Sequence, residues 1–255
     1  MNNQESPLIT RYFGAFIEIL READGTNGFS SYFLKHQFAP QLLEDRLRRI
    51  EGSGQTQLIL REVEGVQDPH ELDARLIDAW CELRLLDQLI TDGFEHIRKE
   101  IQTVDFRASL GEHPFVFQVK HIRKSITEVI NKFNERAHRR GEQIRTGSPY
   151  GTAEEIEFNY AEPLRTLFWD TIDAKNADLG KWQGNEARCI VIVTNKLQDD
   201  WIRNLAREAI CKDINDLTRV NFELLLWISD NETNDWFKID RLDGQISITQ
   251  EWRPN

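Results

Sequence analysis

A long helical pattern followed at once by three short strand-like runs most constrains how this chain can fold. Residues 70–91 place apolar side chains at helical spacing, and Gly93 ends the pattern in a position suited to a helix C-terminus. Three runs of β type come next, and Gly111 to His113 has the length of a hairpin link between the last two. The runs cover residues 94–101, 103–110 and 114–122. This order predicts an amphipathic helix followed by three short strands, of which the last two are joined by a hairpin link.

Helices and strands alternate through the rest of the chain. Helical patterns cover residues 125–140, 152–178 and 199–214, and strand patterns cover 189–195, 221–230 and, as a hairpin, 236–252. Several of these strand runs are continuously apolar, which is typical of strands buried on both faces. We therefore expect an α/β fold in which a mixed sheet is flanked by helices.

The first 68 residues differ in pattern from the remainder of the chain and predict a mainly helical N-terminal extension without recognisable chemistry. The patterns in this extension are a helix over 6–23, further helical material over 29–50 and a short strand over 57–65. We expect the principal domain to span 69–255, with a helical insertion near 141–180.

Cysteine usage and hydropathy favour a cytoplasmic protein. The three cysteines are odd in number and far apart, which argues against a disulfide framework and against a zinc site; we expect them to be buried. No apolar run approaches the roughly 20 residues of a membrane span, and the N-terminus lacks the features of a secretory signal. We expect no association with a membrane.

The formal net charge of −11 opposes binding to a polyanion, so any nucleic-acid contact needs a local basic surface or a basic partner. One stretch is locally basic, and it is either a phosphate-tracking strip or a solvated helix face. Its cations are Arg123, Lys124, Arg136, Arg139, Arg140 and Arg145. The acidic balance predicts a homo-oligomer or a partner subunit, with the N-terminal extension as the docking element.

Polar residues of the predicted helix and of the second and third strands form the candidate site. Asp105 lies in the second predicted strand, and Gln118 and Lys120 share one face of the third because side chains alternate along a strand. A hairpin link brings Asp105 beside that face, and Glu82 in the preceding helix completes the group. The alternative interpretations are a turn or edge role for Asp105 and a solvent-facing strand-end role for Lys120.

These residue types suit hydrolysis of a phosphodiester with a hard divalent cation, Mg²⁺ or Mn²⁺. Such cations prefer oxygen ligands, which Glu82, Asp105, the Gln118 amide and the Val119 carbonyl supply. Lys120 has the reach to orient the attacking water or to neutralise charge on the phosphate. Two other helix acids, Asp78 and Asp87, remain alternatives to Glu82.

The set Glu82, Asp105 and Gln118-Val119-Lys120, in this element order, resembles the PD-(D/E)XK nuclease superfamily. The motif has Gln118 in place of the usual Glu, and in this it is similar to the motif of Mrr-type restriction endonucleases. Val104 stands where the superfamily usually has Pro, and 66 residues separate the third strand from the next apolar strand. The resemblance covers residues 85–230 well and implies a restriction-endonuclease-like fold.

The resemblance implies a Mg²⁺-dependent endonuclease, with DNA as substrate, in prokaryotic restriction or anti-phage defence. The alternative is a catalytically degenerate module that binds nucleic acid or assembles with other subunits. The net charge and the loss of one carboxylate at Gln118 support that alternative. A small-molecule α/β enzyme is a third hypothesis, but the chain lacks a Gly-rich phosphate loop and a Ser or Cys nucleophile motif.

Overall fold

The chain is a mixed α/β protein that divides into two compact units, Met1–Pro114 and Phe115–Arg253. The computed structural model describes residues 7–100, 104–122, 126–148, 150–194, 204, 207–208, 220–228, 234–242 and 245–250. The sequence predicted a boundary after residue 68, whereas the compact units divide at 114. The reason is that the long helix of residues 69–91 packs on the N-terminal helices, which are therefore not a detached extension.

Unit 1 is built around one central helix. Its helices are α1 (Pro7–Ala23), α2 (Pro40–Ile50), α3 (Thr56–Leu60) and α4 (Pro69–Thr91), with a π-helical turn at Phe33–Gln37 and a 3₁₀ turn at Glu51–Ser53. Asp68 caps α4 by accepting a hydrogen bond from the Glu71 amide, and Gly93 follows its end with a φ of +80°. Because α1, α2 and α3 all contact α4, this helix is buried on more than the single face that its sequence predicted.

A buried ion cluster joins α2 to α4. Arg46 Nε lies 3.0 Å from Asp87 Oδ2, and Arg49 makes two further contacts of 2.7 Å with the same carboxylate. The Arg46 guanidinium also lies over the Trp80 ring, 4.6 Å from its centroid. Asp87 is thus occupied in holding unit 1 together, which removes it as an alternative to Glu82 at the site.

Replacing Asp87 by Ala should lower the free energy of unfolding by about 3–5 kcal/mol, because it leaves the buried Arg46 cation without its carboxylate. Urea denaturation followed by circular dichroism measures the change. Asp78→Ala is the matched control, since Asp78 is an exposed acid on the same helix. Equal stability of the two variants would contradict a stabilising role for the cluster.

Two short strands complete unit 1, and one expected strand is absent. β1 (Glu95–Lys99) and β2 (Phe106–Leu110) fall within the first two predicted strand runs, and they pair in antiparallel fashion. The strand predicted over 57–65 is wrong, because residues 56–60 form α3 and a turn comes after it. Ile59 and Leu60 are buried side by side on this short helix, and their adjacency with Leu58 had resembled an apolar strand.

Unit 2 contains a five-stranded mixed sheet. Its strands, in spatial order, are β3 (His113–Ile122), β4 (Ala187–Thr194), β5 (Leu224–Ile228), β6 (Asn234–Leu242) and β7 (Gln245–Gln250). β3, β4 and β5 are parallel, whereas β6 and β7 continue in antiparallel fashion. The first two residues of β3 belong to unit 1. All of β5 and most of β4 are buried, as the continuous apolar runs predicted.

The connection from β3 to β4 carries the helices of unit 2. They are α5 (Ile126–Arg140), α6 (Ala153–Ile156) and α7 (Glu162–Leu179), with a π-helical turn at Glu157–Ala161 between the last two. α5 and α7 contact each other, and α7 contacts β4. Helices therefore occupy much of the region in which the insertion was expected, and the helix predicted over 199–214 lies largely outside the described residues.

The remaining sequence expectations concern burial. Cys81 and Cys189 are buried thiols, as predicted, and Cys211 lies outside the described residues. In the part of the chain that the structure describes, no helix has the length and apolar character needed to cross a membrane.

Candidate functional site

The structure places Asp105 directly before a strand. The sequence predicted Asp105 inside the second strand, but β2 begins at Phe106 and Asp105 occupies the preceding bend. Asp has low strand propensity, which favours the bend. The backbone carbonyl of Asp105 accepts a hydrogen bond at 2.8 Å from the amide of Glu100, the residue that follows β1, and this bond fixes the position of the bend.

Glu82 and Asp105 both face a buried lysine that the sequence analysis did not identify. Lys99, the last residue of β1, has a side chain only 5% exposed, and its Nζ lies 2.7 Å from Glu82 Oε1. The same nitrogen lies 4.0 Å from Asp105 Oδ1 and 3.4 Å from Glu62 Oε1. Three carboxylates from α4, the turn after α3 and the bend before β2 therefore converge on one ammonium group. We call Glu62, Glu82, Lys99 and Asp105 the acidic cluster.

Burial has opposite outcomes for Glu82 and Lys99 in the acidic cluster. It raises the pKa of Glu82 from 4.5 to about 7, because the loss of water outweighs the attraction of Lys99. The neighbouring Asp105 and Glu62 carboxylates raise this pKa further. For Lys99, burial acts to lower the pKa, but the three carboxylates outweigh it and the pKa is raised. Glu82 thus takes up a proton near neutral pH while Lys99 keeps its charge.

The raised pKa of Glu82 predicts a dependence of stability on pH. Folding favours the protonated carboxyl, so its stabilising contribution is complete below the unfolded value near 4.5 and is lost as the pH rises through about 7. Relative to Glu82→Gln, the metal-free parent protein should therefore lose about 3 kcal/mol of unfolding free energy across this interval. Urea denaturation of both proteins in EDTA, over a series of pH values, measures the difference. A difference that does not vary with pH would contradict the raised pKa.

The oxygen atoms of the acidic cluster suit a hard divalent cation. Glu82 Oε2 is buried and has no hydrogen-bond partner among the residues that the structure describes, although the whole side chain is 12% exposed. Asp105 is 29% exposed, so its carboxylate is accessible from solvent. Within the same described residues, no three His, Cys, Asp or Glu side chains are grouped as metal ligands. A bound cation would thus need amide, carbonyl or water oxygens beyond these two carboxylates.

The third-strand residues lie on β3 in unit 2. Gln118 is buried, at 8% exposure, whereas Val119 is half-buried and Lys120 is exposed. In the parallel pairing with β4, Gln118 lies opposite Ile190 and Lys120 opposite Ile192. The Gln118 side chain is therefore buried within β3, whereas the Lys120 side chain is exposed to solvent near the carboxyl end of the strand.

A cavity of about 380 Å³ lies within unit 2 beside Lys120. β3, α5 and α7 line it, and we call it the β3–α5–α7 cavity. His121, which is 7% exposed, contributes from the same strand end. Arg136 of the predicted basic stretch also lines the cavity, as does Lys132, which was not included in that stretch.

The four described cations of the predicted basic stretch fall into three groups. Arg136 lines the cavity, while Arg139 and Arg140 are exposed at the end of α5 and are not among the lining residues. Arg145 is 11% exposed and is committed to internal contacts with Glu162 at 2.6 Å and with the Phe133 and Phe158 rings. The remaining two cations, Arg123 and Lys124, lie outside the described residues.

Sequence reasoning missed Lys99 and the α7 wall of the cavity. Lys99 ends a short strand rich in charged residues, a pattern that ordinarily indicates exposure to solvent. Its burial depends on carboxylates distant in the chain. Lys132 was equally hard to single out, since only the packing of α7 against α5 makes a cavity beside it.

No family model, no curated protein and no solved structure matches this chain. The arrangement of residues must therefore support any function by itself.

Proposed function

We propose that the protein is a metal-dependent nuclease with a restriction-endonuclease-like fold. Glu82 and Asp105 bind a divalent cation, Mg²⁺ or Mn²⁺, and amide, carbonyl or water oxygens complete its coordination. Lys120 acts on the phosphate. The substrate is a nucleic-acid phosphodiester, DNA in the first instance, and the setting is restriction or anti-phage defence in a prokaryotic cytoplasm.

The observation that carries this proposal is the convergence of Glu82 and Asp105 in the acidic cluster. Two carboxylates from separate elements face one point, and one buried oxygen of Glu82 lacks a hydrogen-bond partner within the described residues. Burial of carboxylates is costly, so such an arrangement is retained where a cation compensates it. The element order α4, β1, β2, β3 is also the one on which the resemblance to PD-(D/E)XK nucleases rests.

Each side chain has a distinct task in the proposed reaction. A divalent cation polarises the phosphoryl oxygen and acidifies a bound water. The hydrogen bond from the Glu100 amide to the Asp105 carbonyl fixes the backbone that carries this carboxylate before a ligand arrives. Lys120, exposed at the end of a buried strand, neutralises the negative charge that develops on the phosphate. Lys99 limits the repulsion among the carboxylates while the cation is absent.

One observation favours the second candidate, a catalytically degenerate module that binds nucleic acid or assembles with other subunits. The Lys99 ammonium already forms an ion pair with Glu82 at 2.7 Å, and so supplies a positive charge where a metal would otherwise be needed. In that case the acidic cluster is purely structural and the protein binds no divalent cation specifically.

Titration with Mn²⁺ discriminates the two candidates. If the nuclease proposal is correct, electron paramagnetic resonance should show a specific site whose affinity Asp105→Asn weakens by at least about tenfold. Asp45→Asn is the matched control, because Asp45 is an exposed acid on α2. Equal affinities for the parent and both variants would support the degenerate module and contradict the nuclease.

The acidic charge of the chain bears on its partners. Repulsion from the −11 net charge weakens binding of the isolated protein to a polyanion, except within about 8 Å of a local basic group at physiological salt. We therefore propose that the protein acts as a homo-oligomer or with a partner subunit that adds basic surface.

A further inference from the structure

The β3–α5–α7 cavity has two chemically different walls. On α5, Lys132 and Arg136 are four residues apart and therefore share one helix face. On α7, Thr166 and Asp170 have the same spacing and offer oxygen atoms. The cavity thus places cations on one side and hydrogen-bond acceptors on the other. The rest of the lining includes Lys120 and His121 on β3 and apolar side chains, among them Phe133 and Leu167.

We propose that this cavity binds one nucleotide, with its phosphate at Lys132 and Arg136 and its base at Phe133, Leu167 and Asp170. The volume of about 380 Å³ is near the lower end of the roughly 300–1,000 Å³ found for small-molecule sites. It accommodates a single nucleotide and excludes a duplex. A base that enters the cavity is therefore unpaired.

The charges orient the nucleotide. A phosphate dianion or diester is attracted by the α5 wall and repelled by the Asp170 carboxylate, so the phosphate lies on the α5 side and the base on the α7 side. The Arg145 guanidinium covers one face of the Phe133 ring, with 4.3 Å between Cζ and the ring centroid. This contact holds the ring in place, and its remaining surface serves the base.

Asp170 predicts a preference among bases. A carboxylate only accepts hydrogen bonds, and guanine presents two adjacent donors, N1–H and the N2 amino group, on one edge. Adenine and cytosine place an acceptor nitrogen next to their amino group, and thymine and uracil flank one donor with two carbonyls. Guanine is therefore the base that this cavity favours.

Lys120 lines the same cavity, which connects the nucleotide to the proposed reaction. A nucleotide held by α5 and α7 lies next to the group proposed to act on the phosphate. The cavity then selects an unpaired or flipped nucleotide beside the bond to be cleaved. This assignment of the nucleotide to a nucleic-acid strand rests on the proposed function, whereas nucleotide binding itself does not.

Fluorescence anisotropy with a dye-labelled, guanine-containing single-stranded oligonucleotide tests the inference in EDTA, where no cleavage occurs. Lys132→Gln and Arg136→Gln should each weaken binding by at least about fivefold. Arg139→Gln and Arg140→Gln, on the same helix but not among the lining residues, should change it by less than about twofold. Equal effects of the four substitutions would overturn the proposal.

Competing ligands test the base and its source. An abasic strand should bind the parent protein at least about fivefold more weakly than the guanine-containing strand does. The Phe133→Leu protein should bind the guanine-containing strand more weakly by the same factor. Asp170→Asn should abolish the preference for guanine over cytosine. Abasic and base-bearing strands of equal affinity would overturn the assignment of a base to the cavity, and no guanine preference in the parent protein would overturn the role of Asp170.

Guanosine monophosphate separates the two sources. If guanosine monophosphate competes as strongly as an unlabelled strand, the cavity binds a free nucleotide and the assignment of the nucleotide to a strand is overturned. Competition by guanosine monophosphate that is at least about tenfold weaker supports that assignment. A protein that binds as described but cleaves no polymer with Mn²⁺ would contradict the proposed function alone. Cleavage that does not depend on Lys132 and Arg136 would contradict only the proposal that the cavity binds a nucleotide of the strand.

Discussion

Replacing Asp105 by Ala should reduce divalent-cation-dependent cleavage of nucleic acid by at least about 10³-fold. The substitution removes one of the two carboxylates proposed to bind the cation, and a bound cation supplies several kcal/mol of transition-state stabilisation. The fold should persist, because the hydrogen bond from Glu100 uses the Asp105 carbonyl and Lys99 keeps its closest partner, Glu82. Initial cleavage rates with Mn²⁺ measure the effect.

The control for this prediction is Asp45→Ala, which removes an exposed acid from the same unit and should cleave at the parental rate. Thermal unfolding of Asp105→Ala establishes that any loss is not a loss of fold. An Asp105→Ala protein that cleaves at the parental rate would show that Asp105 does not bind a required cation.

Replacing Lys120 by Ala should lower the catalytic rate by about 10²–10³-fold while leaving the affinity for substrate little changed. Lys120 is exposed, so its removal creates no cavity and stability should change by less than about 0.5 kcal/mol. Single-turnover kinetics with excess enzyme separate the rate of cleavage from binding. Lys132→Gln and Arg136→Gln should show the opposite behaviour, with weakened binding and a smaller effect on the rate.

Lys181→Ala is the matched control for Lys120, since its ammonium is exposed on the surface of the same unit. A Lys120→Ala protein that loses affinity and keeps its cleavage rate would reassign Lys120 from the reaction to anchoring of the strand. Parental behaviour in both measurements would remove Lys120 from the site.

Local pattern predicted the elements of this fold well. The period of the apolar residues identified α4, and the hairpin-length link at Gly111 identified the turn between β2 and β3, where Gly111 has a φ of +58°. The continuous apolar runs identified β4 and β5 as buried strands. These features depend on neighbouring residues in the chain, which a single sequence displays directly.

The division of the chain and the surroundings of the site depend on contacts between distant residues. α2 packs on α4 through Arg46 and Asp87, which are 41 residues apart, and this packing includes the N-terminal helices in unit 1. The observed boundary therefore lies at residue 114 and not after residue 68. Lys99 was missed for the same reason, since its partner Glu82 lies 17 residues away on another element. Alternation along one strand carries no information about such partners.

The roles of the candidate site residues stay predictions, and the sequence did not reveal the surroundings of these residues. Glu82 and Asp105 were grouped from element order, and they do face a common point, although Asp105 precedes β2. The raised pKa of Glu82 could not be anticipated, because it results from burial of the carboxylate in the packed unit. Arg145 was grouped with the surface cations, whereas the rings of Phe133 and Phe158 enclose its guanidinium.

The most direct measurement is cleavage of single-stranded DNA, duplex DNA and RNA by the purified protein with Mn²⁺, with Mg²⁺ and with EDTA. Asp105→Ala and Lys120→Ala, purified identically, control for a contaminating nuclease. The proposed function predicts that the parent protein cleaves at least one of these polymers only when the divalent cation is present, and that both variants lose this activity. Absence of cleavage under every condition, or equal cleavage by the parent and both variants, would contradict it.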